Sequence, residues 1–93
     1  METWRVPEQV KLSWRCWGDS CVCYHHGTGD THLFKQPYIS ILEQLQNQAM
    51  SVEDICAFLQ QQGMESIDEE VRELIEIFLK ELLRLSIIEK VEG

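Results

Sequence analysis

Residues 20–34 read SCVCYHHGTGDTHLF. Two cysteines one residue apart and three histidines suggest either a metal or nucleophile site, or a β-hairpin built from soft side chains. The runs on either side favour the hairpin. CVCYHH and THLFK flank GTGD, a turn signal. Upstream, KLSWRCW alternates, is rich in large residues and ends at GDS. Together they predict a three-stranded antiparallel meander over about residues 10–35. A two-residue loop at Gly18 and Asp19 would pair Trp17 with Ser20, Cys16 with Cys21, Trp14 with Cys23 and Leu12 with His25. One face then carries Leu12, Trp14, Cys16, Cys21, Cys23 and His25. The other carries Ser13, Arg15, Trp17, Ser20, Val22 and Tyr24. The cysteine face is the more apolar, so it should turn toward the rest of the chain, with the cysteines packed as small hydrophobes.

A second hairpin with Thr28 and Gly29 at its tip would pair His25 with His32 and Cys23 with Phe34. Cys23, His25 and His32 would then share a face with Cys21 nearby, and zinc accepts such ligands. The C-x-x-C knuckles of recognisable zinc sites are missing. The plainer reading is a cross-strand histidine pair near the sheet end, so no metal and no cofactor is expected. A cysteine nucleophile is disfavoured too. Burial raises a thiol's pKa, and no helix N-terminus or basic cluster is placed to lower it.

Beyond the strands the period changes to that of helices, over about residues 37–85. QPYISILEQLQNQ places Pro37 at a first helical position, with Tyr38, Ile41, Leu42 and Leu45 at helical spacing. SVEDICAFLQQQG opens with a capping box, Ser51 with Asp54, closes at Gly63, and has Val52, Ile55, Phe58 and Leu59 as its stripe. SIDEEVRELIEIFLKELLRL suggests a second capping box, Ser66 with Glu69. Acidic residues fill its first turn and Arg84 sits in its last, as the helix dipole prefers. SIIEKV, within the last residues 86–93, is a final strand or a tail. The fold class is therefore α+β: a three-stranded antiparallel sheet followed by three helices in a winged-helix-like arrangement, as a single domain over residues 1–93.

Size and charge narrow the function. Ninety-three residues suffice for one core. No stretch approaches the roughly 18 consecutive apolar residues of a membrane span, and METWRVPEQVK has no signal-peptide pattern. The expectation is a cytoplasmic protein with reduced thiols and no membrane partner. The formal net charge is −8. Residues 1–35 carry four acidic and four basic side chains, whereas residues 36–93 carry twelve acidic and four basic. The helical half would repel a duplex, so nucleic acid is not an expected partner.

WGDSCVCYHHGTGDTHLF, followed by a proline-started apolar helix, resembles the PqqD-like family, and most closely its HPr-rel-A system branch. The features are an N-terminal WR, a Trp ending the first strand, GxTHLF at the third, SVEDICAFL as second helix and a terminal LxxLxIIE. They span about Trp4 to Val91. The resemblance implies three strands followed by three helices, related to winged helix-turn-helix. It also implies a non-catalytic recognition element for ribosomally made, modified peptides, which holds a precursor's leader peptide for a modifying enzyme of the same gene cluster. The leader would add as a strand beside the third strand, in a cleft against the third helix. CVC and the doubled His25–His26 depart from the family pattern.

The residues themselves support a groove. At about 100° per residue, Ile67, Val71, Leu74, Phe78, Leu82 and Leu85 form a central stripe on the third helix. Ile75, Leu79 and Leu83 form a second stripe beside it. That second stripe is further core, a homodimer seam or one wall of a groove. The other wall would be Thr31, His32, Leu33, Phe34 and Lys35, an edge strand open to β-augmentation. The alternatives are a winged-helix transcription regulator, which would want a basic recognition helix, and a small metalloprotein using Cys23, His25 and His32.

Overall fold

The computed structural model describes residues 2–64 and 66–92; positions 1 and 93 of the expected domain lie outside them. The elements are β1 (Glu2–Arg5), β2 (Leu12–Trp17), β3 (Ser20–His25), β4 (Thr31–Lys35), α1 (Tyr38–Asn47), α2 (Val52–Gln61), α3 (Glu69–Arg84) and β5 (Glu89–Glu92). The chain is α+β. An antiparallel sheet of order β2-β3-β4 and a two-stranded ribbon of β1 and β5 accompany the three helices.

The first hairpin has the register that the sequence predicts, from Trp17 opposite Ser20 to Leu12 opposite His25. Gly18, with φ of 62°, supplies the positive angle that the first loop position requires. The second hairpin is shifted by two residues from the expected one. Cys23 lies opposite His32, and Cys21 opposite Phe34. Its loop is four residues long, because the His25 amide donates to the Asp30 carbonyl and the Gly29 amide to the His25 carbonyl. The physical reason is the His25 ring. It folds over the loop and accepts the amides of Gly27 and Thr28 on Nδ1 at 3.0 and 3.3 Å. A two-residue shift preserves the side-chain alternation, so His32 and Phe34 still face inward.

The capping box of α2 forms as read, with Ser51 and Asp54 bonded reciprocally. Its C-terminus closes on Gly63, whose φ is 104°. There Gly63 N–H donates to Gln60 and Met64 N–H to Leu59, the paired bonds of a Schellman motif. α3 corrects the expected cap. Asp68, not Ser66, accepts the Val71 amide, because its carboxylate is already three residues from an unpaired amide of the first turn. At its far end Ser86 and Ile87 donate to Leu83 and Leu82, repeating the Schellman pattern.

The chain end is a strand. β5 pairs with β1, and the Trp4 amide and carbonyl on β1's other side exchange bonds of 2.9 Å with Met50. β1 therefore clamps the α1–α2 junction to the C-terminus. The core lies between the helices and the inward faces of the strands. Ile41, Leu42, Leu45, Ile55, Leu59, Ile75, Leu79, Leu82 and Ile87 are buried there, each contributing about 1.5–3 kcal/mol.

That core overturns the division of α3 into two stripes. Ile75 is 2% exposed and Leu79 1%, whereas Leu74 is 47% exposed. α3 packs on several neighbours at once. Its buried arc is therefore centred between the two expected stripes and takes members from both.

Candidate functional site

The cysteines divide into a bonded pair and two free thiols, which corrects the expectation that all four are reduced. Cys16 and Cys21 form a disulfide with a Cα separation of 4.0 Å. They sit opposite each other at a non-hydrogen-bonded position of the hairpin, where Cα atoms come closest. Cys23 and Cys56 are free and buried. Burial pushes the Cys23 thiol up to about 11. Cys56 is likewise raised by burial, a shift that neighbouring Arg72 opposes.

Cys23, His25 and His32 do not assemble into a ligand set. Nδ1 of His25 accepts backbone amides, so Nε2 carries the proton and donates to the Ser86 carbonyl at 3.0 Å. Neither nitrogen keeps a lone pair for a cation. His32 does face Cys23 across the ladder, and its Nε2 is buried without a partner. Among the described residues no group of three His, Cys, Asp or Glu side chains gathers to hold an ion.

β4 is an edge strand, and its bonding alternates. The His25–Asp30 and Asp19–Gln36 bonds fix which residues face β3. His32 and Phe34 spend their backbone groups on β3. Thr31, Leu33 and Lys35 point theirs to the open side, where among the described residues no strand pairs with them. Their side chains are exposed and those of His32 and Phe34 half-buried.

α3 runs beside this strand. The Phe34 ring meets Phe78 edge-on at 5.9 Å, and Tyr38 meets Phe78 at 4.7 Å. On the helical wheel Leu74 and Ile77 lie on the flank of Phe78 away from buried Ile75 and Leu79. They are 47% and 61% exposed. The Phe34–Phe78 contact joins β4 to α3; the open edge of the strand and the exposed flank of the helix are the two surfaces that a peptide groove would use. Of the residues expected at such a groove, Thr31, His32, Leu33, Phe34 and Lys35 form the edge strand β4. Ile75 and Leu79 are core. Leu83 lies on the opposite side of α3, in a separate cleft of about 300 Å³ with Trp4, Val52 and Lys80. Besides Leu83, the exposed large apolar residues of α3 are Leu74 and Ile77. Ile77 carried a legible signal, an isoleucine set among glutamates outside the main stripe.

The arginines of α3 form ordinary surface pairs. The Arg84 guanidinium bonds Glu81 and holds its carboxyl below the usual range. Arg72, 2.6 Å from Glu53, does the same there. Such exposed pairs are screened by solvent and contribute little.

Comparison of the chain with protein-family models, with curated proteins and with solved structures found no match. Among the described residues no helix is long and apolar enough to cross a membrane.

Proposed function

We propose that the chain is a non-catalytic peptide-binding module of the PqqD-like kind, with a winged-helix-like arrangement. It holds the leader of a precursor peptide in the cytoplasm for a modifying enzyme. The observation that carries the reading is an edge strand, β4, whose open side pairs with no strand among the described residues, and which contacts through Phe34–Phe78 a helix with an exposed apolar flank. An extended peptide bonded to Thr31, Leu33 and Lys35 would continue the sheet. Alternate side chains of that peptide would fall against Leu74 and Ile77. Backbone pairing supplies affinity that is nearly blind to sequence, and the apolar wall selects.

The groove also favours a binding module over catalysis. The nearby thiol of Cys23 is protonated at neutral pH, and both nitrogens of His25 are committed to the backbone. The test is titration, into isotope-labelled protein, of a leader peptide from any short reading frame that adjoins the gene. Binding should move the amides of Thr31–Lys35 and of Leu74 and Ile77. Shifts confined to α1, or to the Trp4–Leu83 cleft, would refute this site.

A further inference from the structure

We propose that the outward face of the β2-β3-β4 sheet is a docking surface for an acidic protein partner. Its central row is Arg15, Val22 and Leu33, in register across the three strands. Trp17 and Lys35 stand on the next row, and Tyr24 on the other side. Trp17 is 57% exposed, Leu33 60% and Tyr24 39%, so among the described residues no element covers this face.

Charge identifies the kind of partner. The chain has a formal net charge of −8, yet no outward position of these strands holds a carboxylate; Asp19 and Asp30 sit in the loops at the sheet ends. Among the described residues neither Arg15 nor Lys35 has a carboxylate within ion-pair distance. Two uncompensated cations beside exposed aromatic rings complement an anionic surface. Trp, Tyr and Arg are also the residues that dominate binding energy at protein interfaces. The aliphatic centre, Val22 and Leu33, favours protein side chains over nucleobases, which want stacking rings in that place.

The face is also preorganised. The Tyr24 ring stands edge-on to His26 at 4.8 Å, and His26 Nε2 lies 2.6 Å from Ser13 Oγ. On the inward side of the same hairpin the Cys16–Cys21 bridge ties β2 to β3. The surface is independent of the peptide groove. The groove uses the backbone groups of Leu33 and Lys35, and this face uses their side chains, so both are open at once.

The test is a selection from a random peptide library displayed on phage. The protein is the bait, and an Arg15→Glu, Lys35→Glu variant is the counter-bait. Both residues are exposed, and the variant should melt as the parent does; should it not, the Arg15→Ala, Lys35→Ala variant replaces it. Peptides retained by the parent alone should place Asp or Glu beside aromatic or aliphatic residues. A synthetic copy of one should shift the amides of Arg15, Val22 and Leu33, and Trp17→Ala should weaken it about tenfold or more. The proposal is overturned by a failure to enrich any peptide on the parent over the variant, or by enriched peptides without acidic residues. Shifts at Leu74 and Ile77 alone would overturn it while leaving the groove standing. Tighter binding of a single-stranded oligonucleotide to this face, or a sedimenting dimer abolished by the same variant, would give the surface to another occupant.

Discussion

Ser86 and Gly63 occupy the same place just past the ends of two helices, and both hold a left-handed backbone, with φ of 62° and 104°. Glycine adopts it freely and serine does not, at a cost of about 1–2 kcal/mol. Ser86→Gly should therefore raise stability by roughly 0.5–1 kcal/mol after the added chain entropy, read as a higher urea midpoint. Gly63 was legible as a helix stop and Ser86 was not, because only glycine signals that conformation in a sequence. His25 illustrates the same limit. Its hydrogen bond to Ser86 spans 61 positions, so its role as a loop filler and helix-end cap is invisible locally, whereas a histidine among cysteines invites a metal reading. Cys23, fully buried with its thiol raised to about 11, contributes a pH dependence of definite sign. The folded state keeps the proton after the unfolded thiol has lost it, so this contribution is complete below about pH 8.5 and declines as pH rises toward 11. The unfolding free energy should accordingly fall more between those pH values in the parent than in Cys23→Ala, measured by denaturant titration.

At the scale of elements, the first hairpin was the most legible part of the chain and α3 the least. A two-residue loop and a period of two leave a strand few choices, and the β2–β3 register follows from Gly18 and Asp19 alone. A helix with apolar residues around more than half its circumference leaves many choices. The sequence could not say which of Leu74 and Leu79 the neighbours would cover. Leu79 is 1% exposed and Leu74 47%. Leu79→Glu places a carboxylate in the core and should destabilise by about 3 kcal/mol or more, with loss of the cooperative melt. Ile77→Glu, at a site 61% exposed, should leave the melt nearly unchanged and weaken the peptide by about 1–2 kcal/mol. A folded Leu79→Glu, or an Ile77→Glu that binds undiminished, would reject this assignment of faces. The β2–β3 hairpin carries a further prediction through its disulfide, which closes a short loop of sequence separation 5. Reduction should cost at most about 2 kcal/mol, read as a lower melting temperature in the presence of a dithiol, and the sheet should persist.

Over the whole molecule, the arrangement of charge and the open edge belong together. The acidic helical half and the cationic sheet face give the chain two unlike sides, separated by β4. The pairing of β1 with β5 closes the chain across about its full length, a contact with no local signature, which is why four N-terminal residues escaped recognition as a strand. The β4 edge was legible, because a third strand followed directly by a helix has nothing beside it. Its register was not, since the two-residue shift of the hairpin depends on His25, but that shift leaves the bonding parity of the strand as the sequence predicts. That parity makes the most direct measurement of the central claim possible. Amide hydrogen exchange should find His32 and Phe34 protected in the free protein, and Thr31, Leu33 and Lys35 exchanging rapidly. Addition of the precursor's leader peptide should slow Thr31, Leu33 and Lys35 selectively. Their exchange unchanged at saturating peptide would contradict strand addition at β4.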